Sequence, residues 1–108
     1  MSYKIFTIPP FDKQLKRLSK KYPSVKKEYI ELLNDIEINP VSGKPIGNNC
    51  YKIRLAIASK GKGKSGGARV ITYVQVIQTS VYLLTIYDKS EQDNLSENEL
   101  SELLKYIP

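Results

Sequence analysis

An α+β domain with a mainly antiparallel sheet follows from three features of the sequence. Apolar residues recur at helical spacing as far as Ile36, the period changes to two from Tyr51 onward, and a last helix is signalled near the carboxy end. The elements read β-α-α-β-β-β-α: a strand, a helical hairpin, three further strands of a mainly antiparallel sheet and a short carboxy-terminal helix. At 108 residues the chain has room for one hydrophobic core, so residues 1–108 are expected to form a single domain.

Each element has a local reason. Tyr3 to Ile8 carries the β-branched and aromatic residues of a short strand, ended by Pro9-Pro10, which cannot continue a ladder. Phe11, Leu15, Leu18 and Tyr22 form one helical stripe, with Lys13, Lys16, Arg17, Lys20 and Lys21 around it. Pro23 stops this helix and Ser24 is placed to cap a second, whose stripe is Val25, Tyr29, Leu32, Leu33 and Ile36. Ser42 to Asn49 is rich in turn residues and reads as a connector. From Tyr51, alternation puts Tyr51, Ile53, Leu55 and Ile57 on a core face and Lys52, Arg54 and Ala56 on the other. Ser59 to Gly67 holds four of the six glycines and three lysines, a loop composition. Ala68–Ile77 and Val81–Tyr87, joined through Gln78-Thr79-Ser80, read as a hairpin. Ser96 with Glu99 makes a capping box, and Leu95 with Leu100 a hydrophobic staple, at the start of the last helix.

Composition narrows the function. Hydrophobic residues are 41% and charged residues 26%, the balance of a chain that buries a core. No apolar run approaches the roughly 18 residues that cross a bilayer, and the amino end lacks a signal peptide's apolar stretch, so a cytoplasmic protein is expected. With no histidine and one cysteine, Cys50, an internal disulfide and imidazole catalysis are excluded, and a metal site would rest on carboxylates alone. Cys50 is read as structural or incidental, since nothing adjacent in sequence except Lys52 would lower its pKa. The net charge of +6 is divided unevenly: residues 1–72 hold 15 Lys and Arg against 5 Asp and Glu, and residues 73–108 hold 2 against 6. A domain this basic over two thirds of its length attracts polyanions, nucleic acid first.

Two segments invite chemistry. Gly61-Lys62-Gly63-Lys64-Ser65 has the end of a phosphate-loop pattern, but Ala58 stands where its first glycine belongs and a strand follows where a helix is needed, so nucleotide hydrolysis is set aside. Lys62 and Lys64 remain as backbone contacts for RNA or as solubilising loop charges. Lys52 and Arg54 project from one sheet face, Arg69 opens the next strand and Lys89 follows the last. Charged residues on an exposed sheet face are ordinary, so these four carry meaning only if they converge. If they do, they suit RNA cleavage by the substrate's own 2′-hydroxyl, a reaction needing a base, an acid and fixed positive charge, with no metal or cofactor. A lysine among cations titrates lower and can serve as base, whereas arginine stays charged. Tyr73 and Tyr87 are candidates for stacking on a base or donating a proton, although tyrosines in hairpins more often pack across strands.

These residues resemble the RelE/ParE superfamily of toxins from type II toxin-antitoxin modules, and its HigB-like branch most. The resemblance covers nearly the whole chain and is most specific at Lys62–Ile71, at Val81–Ser90 and in the short last helix. It implies a RelE-like twisted antiparallel sheet with two N-terminal helices packed on it and an endoribonuclease that cuts mRNA on the ribosome, in keeping with the metal-independent cleavage chemistry above. By position, Lys52, Arg54, Arg69 and Lys89 match the catalytic cations of that family, while Lys62 and Lys64 belong to the glycine-rich loop of the HigB-like branch, which implies phosphate contact or local charge. The sequence departs from RelE where some members carry a carboxy-terminal tyrosine, since Leu95 stands near that place. The resemblance also implies a cognate antitoxin protein as partner. Two other readings keep the same features: a ParE-like inhibitor of DNA gyrase, and a non-catalytic RNA-binding protein.

Overall fold

A computed structural model describes residues 3–61 and 66–108. The loop lysines Lys62 and Lys64 therefore lie outside the described residues. Strand β1 (Lys4–Thr7) leads into α1 (Pro9–Lys21) and α2 (Val25–Ile38), followed by β2 (Lys44–Gly47), β3 (Cys50–Leu55), a short 3-10 turn (Ala58–Lys60), β4 (Ala68–Gln75), β5 (Ser80–Asp88) and α3 (Glu97–Leu104). The five strands form one sheet in the order β1-β5-β4-β3-β2. Every pairing is antiparallel except β1 with β5, which is parallel and sets Lys4 beside Ser80 and Thr7 beside Leu83.

The core fills the space between the sheet and the first two helices. Phe11 and Leu18 of α1 and Val25, Leu32 and Ile36 of α2 are buried with Val70, Val74, Val81, Leu83 and Ile86 of the central strands. This is the burial expected of the two amphipathic stripes. Pro9 and Pro10 do more than end a strand: they occupy the first two helical positions of α1, where a missing N–H costs nothing. Ser24 stands at the amino cap of α2, but its side chain does not cap the helix. Its Oγ donates to Glu28 Oε1 at 3.1 Å and accepts from Ser59 N at 2.9 Å, tying α2 to the 3-10 turn.

Two strand boundaries differ from the sequence reading. The segment read as a plain connector contains β2, a short edge strand made by its neighbour rather than by its own propensity. Asn48 and Asn49 both adopt left-handed backbone (φ 55° and 61°), the geometry of a two-residue type I′ hairpin, and Pro45 is tolerated because β2 lies at the sheet edge. At the other hairpin, β4 ends at Gln75, and Val76 and Ile77 pass into the turn with 65% and 95% of their surface exposed. Their apolar character signals a strand, yet no partner residue remains for them once Gln75 has paired with Ser80.

The capping box at α3 forms as read: Ser96 Oγ accepts from Glu99 N at 3.1 Å and Glu99 Oε1 accepts from Ser96 N at 3.2 Å. Leu95 and Leu100 both join the core. Among the described residues no helix is long and apolar enough to cross a membrane.

Candidate functional site

Alternation along a strand and register between strands decide which side chains meet. Arg54 of β3 is the register partner of Arg69 of β4, and Arg69 is in turn opposite Tyr87 of β5. Lys52, two residues before Arg54, therefore shares its face and is opposite Ile71 on one side and Lys44 on the other. Lys89 follows β5 with the parity of Tyr87. Cross-strand partners hold their Cβ atoms about 5 Å apart, so this patch of sheet is densely cationic.

Lys52, Arg54, Arg69 and Lys89 all line one cleft of about 740 Å³. Lys44 adds a fifth cation, and Glu28, Glu31 and Asp35 of α2 enter from the opposite wall. The cleft exists because β2 is short: it covers Cys50 to Lys52 and leaves the edge of β3 beyond them open. Gly43, at φ 95°, allows the approach to this wall, since a Cβ there would lie 2.5 Å from the Lys52 carbonyl oxygen. Of the three acids, Glu28 is committed to structure, accepting from the backbone N–H of Ala58 at 2.6 Å and from Ser24 Oγ.

The four cations differ in environment. Arg69 is buried, with 4% of its surface exposed, and donates through a guanidinium nitrogen to the Ala68 carbonyl at 3.1 Å. Arg54 is exposed and Lys52 half-buried. Lys89 is half-buried and pairs with Asp93 at 3.5 Å. Its backbone N–H donates to the Gly67 carbonyl at 3.0 Å, joining the end of β5 to the start of β4.

The two tyrosines separate. Tyr87 lies beside Arg69 and is buried, and among the described residues its hydroxyl has no hydrogen-bond partner. Burial raises its pKa, the Arg69 charge acts against this, and Asp93 and Glu99 add to it, so the phenol stays protonated and is a donor. Tyr73 is four residues along β4 from Arg69, about 13 Å at strand spacing. It packs with Tyr82 at 6.4 Å between ring centroids and borders a separate groove with Leu104 and Ile107. Tyr87 borders another groove, with Arg17, Leu95 and Glu99, so the structure brings neither tyrosine to the cationic cleft.

One residue pair escaped the sequence reading. Asp88 is fully buried and accepts four hydrogen bonds: from Lys60 Nζ at 2.5 Å, Tyr22 Oη at 3.0 Å, Ser90 N at 2.9 Å and Ser90 Oγ at 2.8 Å. Burial alone would raise its pKa, but the bonds from Lys60, Ser90 and Tyr22 outweigh this and hold the carboxyl far below the usual range. Lys60 belongs by composition to the lysine- and glycine-rich loop Ser59 to Gly67, yet it is an internal ion-pair partner with 11% of its side chain exposed.

The model of the RelE toxin of the RelE/RelB toxin-antitoxin system matches residues 4–107. The chain belongs to the RelE toxin family. Solved RelE structures agree in fold. A doubly substituted mutant of the E. coli toxin RelE in the free state superimposes with a TM-score of 0.63 at 21% identity, with 100% of each chain covered. The toxin-antitoxin complex RelBE2 from Mycobacterium tuberculosis gives 0.62 at 17% identity, over 82% of this chain and 99% of that one. The same E. coli RelE mutant in complex with a peptide of the antitoxin RelB gives 0.58 at 20% identity, again over the whole of both chains. The RelE fold expected from the sequence resemblance is thus the fold of this chain, with three helices and a five-stranded sheet of mixed pairing.

Proposed function

We propose that this RelE-family chain is the toxin of a type II toxin-antitoxin module, of the HigB-like branch, and cleaves mRNA on the ribosome in the cytoplasm. The observation that carries the reading is the convergence of Lys52, Arg54, Arg69 and Lys89 on one cleft. In the proposed reaction the substrate's 2′-oxygen attacks the neighbouring phosphorus, a base takes the 2′-proton, and the bond to the 5′-oxygen breaks as that oxygen accepts a proton. Arg69 and Arg54 stabilise the extra negative charge on phosphorus, and Lys52 and Lys89 are the residues positioned to move protons. Tyr73 and Tyr87 line no part of this cleft, and the RNA contact falls to its cations. Lys62 and Lys64 are assigned to the RNA backbone on sequence grounds.

Relatives of the same fold bind antitoxins, RelBE2 in its complex and E. coli RelE with its RelB peptide. We assign this chain a cognate antitoxin by the same logic, its acidic residues drawn to the +10 charge of residues 1–72.

The test is primer extension on a reporter mRNA in bacteria expressing the wild type or Arg69→Ala, with growth followed in parallel. New 5′ ends within translated codons, lost together with growth arrest in the variant, are the expected result. Growth arrest without new ends would move the target to gyrase, and salt-dependent RNA binding with no cutting would leave a binding protein.

A further inference from the structure

The Lys60 ammonium ties the 3-10 turn to the approach to β4 and to the end of β5. Its Nζ donates to Asp88 Oδ1 at 2.5 Å, to Ser90 Oγ at 3.0 Å and to the Gly66 carbonyl at 3.1 Å. Asp88 and Ser90 flank Lys89 on either side, and Gly66 lies three residues before Arg69. The backbone bond from Lys89 to Gly67 closes the same ring of contacts. From the opposite side Tyr22, at the end of α1, donates to the second oxygen of Asp88. Asp88 at the centre of the knot is buried, Lys60, Tyr22 and Gly66 are half-buried and Ser90 is exposed, and Lys60 and Asp88 do not line the cationic cleft.

A buried ion pair is a poor source of net stability, because desolvating two charges costs about as much as their attraction returns. Its value lies in fixing one arrangement. The two segments fixed here are those that carry Arg69 and Lys89 into the cleft.

We propose that Lys60 and Asp88 are positioning residues for RNA cleavage, setting the backbones of Arg69 and Lys89 without touching RNA. This rests on the nuclease reading above. The pair acts on the rate of the bound complex rather than on attraction of the polyanion, since its two charges cancel.

The test is Lys60→Met combined with Asp88→Leu, which replaces the pair by apolar residues and leaves the net charge at +6. Cleavage by wild type and variant is measured on ribosomes programmed with mRNA. The expected result is a fall in kcat of about 10- to 100-fold with KM within about 2-fold, as misplacement of catalytic groups produces. Lys89→Ala, costly in the wild type, should cost far less in the paired variant, because a misplaced lysine has less to lose. Should the paired variant not fold, Ser90→Ala removes one bond from Lys60 and one to Asp88 and is expected to lower kcat several-fold with KM unchanged. A kcat equal to wild type in whichever variant folds overturns the positioning role while the nuclease reading stands. Absence of cleavage by wild type removes both.

Discussion

Arg54 and Arg69 stand opposite each other on β3 and β4, one exposed and one buried, so the cationic cleft pairs a guanidinium enclosed by protein with one open to solvent. The buried group is held before any substrate arrives and offers preorganised charge. Arg69→Ala is expected to lower cleavage by about 10²- to 10³-fold, as removal of one fixed donor to a charged transition state does. Arg54→Ala should cost less and should weaken RNA binding more, with a shallower dependence on salt. Equal losses for the two would refute the distinction. Rates and salt titrations on programmed ribosomes decide it.

Removal of one partner of the Lys60–Asp88 pair strands the other in the interior. Lys60→Met alone should destabilise the fold by about 3–5 kcal/mol, and adding Asp88→Leu should restore most of that loss. Urea unfolding of the three proteins is the check. A double variant no more stable than the single would mean that the pair itself holds the fold.

Asp88 also predicts an acid limb of stability. Its folded pKa lies below the unfolded value of about 3.9, so the stabilisation it provides is complete above that pH and is lost as pH falls through the folded pKa. Stability of the wild type measured from about pH 6 down to about pH 2 should fall more steeply below pH 4 than that of the Lys60→Met/Asp88→Leu protein. Parallel curves would show that Asp88 titrates normally.

Cys50 is 1% exposed, and burial pushes its thiol pKa up to about 11. Little thiolate exists at neutral pH, and a buried neutral thiol reacts slowly. Iodoacetamide should label the folded protein many times more slowly than the urea-unfolded one. Fast labelling of the folded protein would contradict the packing of Cys50 opposite Tyr73.

Gly67 admits no side chain. A Cβ there would lie 2.2 Å from the Leu55 carbonyl oxygen, against rigid backbone of β3. Gly67→Ala should force β3 and β4 apart next to Arg69, costing about 1–3 kcal/mol and lowering cleavage more than it lowers stability. Normal thermal unfolding and normal cleavage would show that the strands give way freely.

The helices, the cationic strand and the capping box were legible because each is written in neighbouring residues: a stripe, an alternation, a pair three apart. Lys52 and Arg54 are readable from the period of two alone. The pairing that brings Arg69 and Lys89 beside them is a matter of register, which links residues 54 with 69 and 67 with 89 and leaves no local mark. Strand β2 was hidden for the same reason, since Lys-Pro-Ile-Gly has little strand propensity and becomes a strand only by pairing with β3. Lys60 was hidden by its surroundings: among lysines and glycines it has the look of a solvated charge, and only the fold places Asp88 against it. The acidic wall of α2 likewise enters the cleft through tertiary packing.

The parallel pairing of β1 with β5 has a consequence for how the chain is made. Strand β1 is synthesised before the helices and the other strands, and its partner residues, Ser80 to Leu83, follow only after β4, so this sheet edge waits for β5. Lys89 comes later still. The nascent polypeptide therefore cannot complete the cationic cleft until Lys89 has been added, and the four cations come together only after the strands that carry them have all been made.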